Sequence, residues 1–265
     1  MRVKDKVAIV TGGGTGIGKS ISLAFAEEGA AVVLAARDFS RLREVAEEIG
    51  ARGRQARAVQ ADISDEKQVR AMVSETLDAY GRIDILVNNG GIGAPAANVV
   101  DMDLNTWNEV LAINLTGTML CAREVLKSMI ARRSGSIINI GSEAGRSGYP
   151  MRSAYSVSKW GVIGLTEGLS IEVGKYNVRV NCISPGAVKG ERMDNLIRMR
   201  ADALGVSSGE LMGRLEGLNA LERLVDPSEI ASAALFLASE ESSGITGHTL
   251  VVNCGHHIIH PSEIR

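Results

Sequence analysis

The chain has 265 residues, of which 30 are glycine and 5 proline, with 45% hydrophobic residues, 3% aromatic residues and a formal net charge of -2. No G-X-Y period accompanies the glycines and proline is scarce, which excludes collagen, while the aliphatic content and small charge exclude disorder. Charges of both signs are spread along the chain and aromatics are few, so neither a basic stripe nor a stacking platform for nucleic acid is present.

A chain of this length is expected to form one α/β domain over residues 1–265. Met1 to Lys6 run directly into an apolar strand pattern, and no apolar run approaches the roughly 20 residues of a membrane span. Cys121, Cys182 and Cys254 are odd in number and widely spaced, which fits a reducing compartment. The expectation is a cytoplasmic protein with no membrane partner.

In chain order, short apolar runs alternate with amphipathic stretches. Strands are predicted at 7–10, 31–36, 56–60, 83–87, 136–140, 178–183 and 249–252, most of them apolar throughout, as parallel strands covered on both faces are. Helices are predicted at 18–28, 40–49, 66–80, 106–131, 154–175 and 227–239, with Asp65 and Asp226 as start signals and Pro227 at a first helical position. The order implies a doubly wound, seven-stranded parallel sheet of Rossmann type with helices on both faces. Residues 188–224 interrupt it as a polar, glycine-dotted insertion, expected to bind substrate. Within it Gly205, Gly209, Gly213 and Gly217 recur every four residues, and Met193, Met199 and Met212 are expected to pack the flap.

The turn after the first strand, Thr11 to Ser20, supports two phosphate-binding readings. Gly13 to Ser20 match G-x-x-x-x-G-K-[ST], a triphosphate loop, while Thr11 to Gly18 match T-G-x-x-x-G-x-G, a dinucleotide loop. A triphosphatase needs a strand ending in a metal-binding Asp. The candidate strand ends in Asn88-Asn89 instead, which favours the dinucleotide reading. Tyr155 and Lys159 form Y-x-x-x-K on one helix face, where the ammonium would lower the phenol pKa. Ser142 stands at the end of the fifth strand.

These residues, in this order along essentially the whole chain, resemble the short-chain dehydrogenase/reductase family, in particular its 3-oxoacyl-carrier-protein-reductase-like branch. The resemblance implies Asn114, Ser142, Tyr155 and Lys159 as catalytic residues. Tyr155 would be the proton donor or base, Ser142 would bond the substrate oxygen, Lys159 would tune Tyr155 and hold the ribose, and Asn114 would anchor a relay water. It implies cofactor contacts from Gly12, Gly14, Thr15, Gly16, Ile17, Gly18, Arg37, Asp62, Ile63, Asn89, Gly90, Tyr155, Lys159, Pro185, Gly186 and Val188, and no metal. Three positions depart from the family pattern: Gly91 for alanine, Gly190 for threonine, and Val252-Asn253-Cys254-Gly255 for V-D-G-G.

At the end of the second strand Ala36 stands where an NAD-binding acid would be, and Arg37 follows. That favours NADP over NAD, with Asp38 as the complication. Lys189 and Arg192 are candidate contacts for an anionic substrate, and Arg123, Lys127, Arg132 and Arg133 for a carrier-protein docking patch. His256, His257 and His260 suggest a tail packed on a neighbouring subunit more than a metal site. The leading expectation is an NADP(H)-dependent oxidoreductase acting on a small-molecule ketone or secondary alcohol. Alternatives are a 3-oxoacyl-carrier-protein reductase, an NAD-dependent sugar or cyclic-diol dehydrogenase, and a dinucleotide-sensing binding protein. The resemblance also implies a homotetramer, or a homodimer, built on the helices holding Asn114 and Tyr155.

Overall fold

The computed structural model describes residues 1–93 and 95–256. Seven strands, β1 (Val7–Thr11), β2 (Ala31–Ala36), β3 (Ala56–Gln60), β4 (Ile85–Asn88), β5 (Gly135–Ile140), β6 (Val178–Pro185) and β7 (Thr249–Val252), form one parallel sheet in the order 3-2-1-4-5-6-7. Most of the central strand residues are apolar on both sides, as fits a sheet with helices on both faces. Ala8, Val10, Val32, Leu34, Ile85 and Val87 pack into one layer with residues of α1 (Gly16–Glu27), α2 (Phe39–Ala51) and α9 (Pro227–Ala238). The alternate residues Ile9, Val33, Ala35 and Leu86 pack into the other, with α3 (Glu66–Tyr80) and α5 (Gly117–Arg132). Fully burying each such Ile, Leu or Val contributes about 1.5–3 kcal/mol.

The predicted start signals hold. Asp65 accepts from the backbone N–H of Lys67 and Gln68 at the start of α3, and Asp226 forms a capping box with Glu229 before Pro227. The stretch expected as one helix over 106–131 is divided. It runs as α4 (Leu104–Leu111), a π-helical turn at Ala112–Thr116, and α5. The wide turn lets the Asn114 side chain leave the helix to bond a neighbouring loop, the kind of exchange for which π-turns recur at functional sites.

The insertion is helical: α7 (Glu191–Leu204) and α8 (Ser208–Glu216) follow α6 (Ser153–Val173) and β6 in the chain. Gly205, at φ 66°, ends α7 in the left-handed conformation, and Gly209 and Gly213 lie inside α8 rather than in a glycine-lined loop. Met199 is 71% exposed, so it does not pack the flap as expected. The two ends of the insertion are stitched together. Val188 and Val225 form a parallel bridge, with Lys189 N donating to Val225 O and Val225 N to Ala187 O, both at 2.9 Å.

The chain winds outward from β1 to β3 on one side and from β4 to β7 on the other. The reversal lies between β1 and β4, so the carboxyl ends of these two strands open the crevice where such sheets bind ligands.

Candidate active site

The turns after β1 and β4 are tied to one another. Thr11 Oγ1 accepts from Asn89 N at 3.0 Å and Gly90 N at 2.9 Å, and Asn89 Nδ2 donates to the Thr11 and Gly12 carbonyls at 3.0 and 3.2 Å. Gly12 sits at φ 65°, and a Cβ on Gly18 would collide with the Gly12 carbonyl, so the backbone path closes only with glycine at both places. The loop leads into α1, whose first turn carries no acid and whose N-cap, Thr15, makes no side-chain bond to the helix. The N–H groups of that turn are left for an anion, and nothing lies within 4 Å of the outward side of Gly16. The residues therefore fit a dinucleotide pyrophosphate. Lys19 points elsewhere, pairing with Glu48 at 2.8 Å, which removes the triphosphate-loop reading.

Around this crevice the remaining expected cofactor positions are near but differently engaged. Ile63 is buried and would touch a Cβ on Gly90. The Asp62 carboxylate accepts from Ser64 N and Ser64 Oγ at 2.9 and 2.6 Å, which holds that turn. Gly186 N bonds Val252 O where β6 ends at Pro185, and Val188 begins the stitched neck of the insertion. Arg37 is exposed and no carboxylate pairs with it among the described residues. Asp38 caps α2, accepting from Ser40 Oγ at 2.7 Å and Arg41 N at 3.3 Å. The acid that complicated the cofactor reading is thus spent on a helix terminus.

The four residues expected to be catalytic converge beside the same crevice. Ser142 follows β5 and caps a short 3-10 turn by accepting from Ala144 N at 3.2 Å. That turn lies against the Lys159 backbone: a Cβ on Gly145 would stand 2.7 Å from the Lys159 carbonyl oxygen, so the turn that Ser142 caps is pressed onto α6. Lys159 is buried and donates to Ile140 O at 2.8 Å, with its Nζ 5.8 Å from the centre of the Tyr155 ring. Burial pushes the Tyr155 phenol up, but the Lys159 charge, the Ser142 hydrogen bond and the charges of Arg192 and Arg152 outweigh it and hold the phenol below its ordinary value.

Asn114 is fully buried and its carboxamide is committed. Oδ1 accepts from Ile92 N at 2.8 Å, while Nδ2 donates to Ile92 O at 3.0 Å and Ser158 Oγ at 3.1 Å. It thereby braces the loop after β4 against α6. Gly91 fits that brace: a Cβ there would stand 3.0 Å from Asn114 Oδ1.

Further groups escaped the sequence reading. Glu143, buried next to Ser142, accepts from Asn253 Nδ2 at 2.7 Å and pairs with Arg146 at 3.2 Å. This explains the V-N-C-G departure, since an Asp at 253 would set two carboxylates against each other. Arg152 lies over the Tyr155 ring at 5.1 Å; a lone Arg before a helix gives no signal of that in the sequence. Of the two candidate anion contacts, Arg192 reaches the Tyr155 region, whereas Lys189 faces Asp226 and Glu229. The basic residues of α5 are engaged: Arg123 with Glu66 and Glu124, Lys127 with Glu124, Arg132 with Asp84, and Arg133 with the Lys175 carbonyl. His256 joins Tyr149 at 3.3 Å and Asn219 at 3.1 Å, while His257 and His260 lie outside the described residues.

The profile of the short chain dehydrogenase family matches residues 6–201. The chain belongs to that family. A relative, the BbsD subunit of a hydroxy(phenyl)methylsuccinyl-CoA dehydrogenase from Thauera aromatica, is 37% identical over 255 residues, covering 96% of this chain and 97% of its own. The 3-oxoacyl-(acyl-carrier-protein) reductase FabG of Staphylococcus aureus is 36% identical over 251 residues, covering 94% and 97%. Among solved structures, NAD+-bound xylitol dehydrogenase superposes with a TM-score of 0.91 at 31% identity, covering 95% of this chain and 99% of that one. An actinorhodin polyketide ketoreductase with NADPH gives 0.91 at 31% identity, covering 95% and 98%. Like these short-chain dehydrogenases, the protein is a nicotinamide-dinucleotide-dependent dehydrogenase or reductase.

Proposed function

We propose that the protein transfers hydride between NADP(H) and a small ketone or secondary alcohol, with Tyr155 as the general acid or base. The observation that carries this reading is the meeting of Tyr155 with Ser142 and the buried Lys159, whose Nζ lies 5.8 Å from the ring centre and whose charge favours the phenolate. When bound, the nicotinamide supplies the hydride in reduction and accepts it in oxidation. In reduction the Tyr155 hydroxyl donates its proton to the carbonyl oxygen, which the Ser142 hydroxyl orients, and the phenolate left behind is stabilised by the Lys159 ammonium. Oxidation runs the same proton back from the alcohol to the phenolate. Asn114 keeps the loop after β4 and α6 in register for both directions.

A preference for NADP is supported by Arg37, which offers an unshared guanidinium at the end of β2, and by the commitment of Asp38 to the α2 cap. The engaged cations of α5 disfavour a carrier-protein docking role for that helix, so a free small molecule is the preferred substrate form.

The test is a spectrophotometric panel of ketones, 3-oxoacyl thioesters and polyols with both cofactors across pH. Alcohol oxidation is expected to rise with pH along a limb below the ordinary phenol range, because it needs the phenolate. Ketone reduction is expected to fall along the same limb, because it needs the phenol. No turnover across the panel, or a higher kcat/KM with NADH, overturns the corresponding half of the proposal.

The family's expected self-association finds support on α6, where Val157, Trp160 and Ile171 stand 45%, 53% and 83% exposed on one face. A homotetramer or homodimer covering that stripe is expected in light scattering. A monomer at micromolar concentration rejects it.

A further inference from the structure

Resting on the reading of Tyr155 as the acid or base, we propose that the site selects substrates bearing a carboxylate beside the reacting carbonyl, gripped by Arg192 and Arg152. The two guanidinium groups come from separate elements, α7 of the insertion and the residue preceding α6, yet they meet at one place. A Cβ built on Gly93 would stand 2.7 Å from Arg192 Nη2 and 3.7 Å from Arg152 Nη2. Gly93 belongs to the turn after β4 that Asn114 anchors, and Arg152 lies over the Tyr155 ring. The cationic pair therefore stands at the mouth of the crevice within reach of the group whose proton moves.

Among the described residues, the two acids beside Arg192 and Ser142 are engaged elsewhere. Glu191, the residue before Arg192, reaches back to Arg41 at 3.6 Å, and Glu143 is engaged by Arg146 and Asn253. No carboxylate of the described residues pairs with Arg192. Arg192 thus brings a guanidinium without a carboxylate partner among the described residues to the side of Arg152, and a planar carboxylate matches the fork of a guanidinium. An uncharged ketone would leave the Arg192 guanidinium without that partner. The anion would also fix the carbonyl relative to Tyr155, so charge recognition and proton transfer are joined through one short substrate segment.

Two measurements test this with the full-length protein. The first compares acetoacetate with methyl acetoacetate as substrates, with NADPH and with NADH. The acid is expected to exceed the ester in kcat/KM by about tenfold to a hundredfold, and Arg192→Gln to collapse that ratio towards one. The second measures calorimetric binding of succinate and of succinamide to the cofactor-loaded protein. Succinate is expected to bind at least about tenfold tighter, with the difference lost in Arg192→Gln and, as an independent variant, in Arg152→Gln. A wild type that shows no preference for the charged member in either comparison overturns the carboxylate site, as does a variant that lowers acid and ester equally. If succinate is distinguished but no carbonyl turns over, the anion site stands and the hydride-transfer reading falls.

Discussion

Tyr155→Phe is expected to lower kcat by about 10²- to 10⁴-fold in both directions, the usual worth of a positioned general acid or base. The substitution removes one oxygen and leaves the ring under Arg152, so cofactor should still bind in a fluorescence titration, weakened by no more than about tenfold, the worth of one hydrogen bond. The residual activity should also lose its pH limb, since the titrating group is gone. That last readout separates chemistry from packing: a variant that merely loosened α6 would be slower but would keep the limb. A Phe variant retaining more than about a tenth of wild-type kcat would transfer the proton role to another group.

Arg37→Ala is expected to reduce the kcat/KM ratio of NADPH over NADH by about tenfold to a hundredfold, the value of a charge-assisted hydrogen bond or two to a phosphate. Nearly all of the change should fall on NADPH, because NADH carries no 2′-phosphate to lose. Arg41 is the other cation at this corner, but it already pairs with Asp38 at 3.5 Å and Glu191 at 3.6 Å. Arg37, exposed and unshared, is left as the main discriminator. Raising ionic strength should erode the wild-type preference and have little effect on the variant. An unchanged ratio in Arg37→Ala would mean that the 2′ position is read elsewhere.

The sheet was legible because buried parallel strands are apolar on both sides, and runs such as Ala31–Ala36 carry that mark without needing any partner. The order 3-2-1-4-5-6-7 and the crevice at the β1–β4 reversal required the structure. Local motifs were legible for a related reason. The Gly12–Gly18 loop and the Tyr155–Lys159 spacing each place their atoms within one turn of chain, so sequence separation is nearly spatial separation. The π-turn at Asn114 was hidden, since Ala112–Thr116 hold no proline or glycine to mark a widened turn in a stretch that reads as helical on both sides. Contacts across the chain were hidden as well. Asn253 and Glu143 are 110 residues apart with β6 between their strands, and only the meeting of the turns after β5 and β7 makes the amide a partner for the acid.

The insertion leaves the sheet at Val188 and returns at Val225, and the bridge between those two residues makes it a closed loop on a fixed neck. Whatever happens to the length or sequence between them changes the closure entropy only slowly, by about 0.6 kcal/mol per doubling. Ser142, Tyr155 and Lys159 hang from the end of β5 and from α6, neither of which passes through that neck, while the insertion reaches Tyr155 through the charge of Arg192. A chain built this way can be re-tailored for a new substrate by exchanging one cassette, with Ser142, Tyr155 and Lys159 kept in place and the tuning of the phenol by Arg192 exchanged along with it.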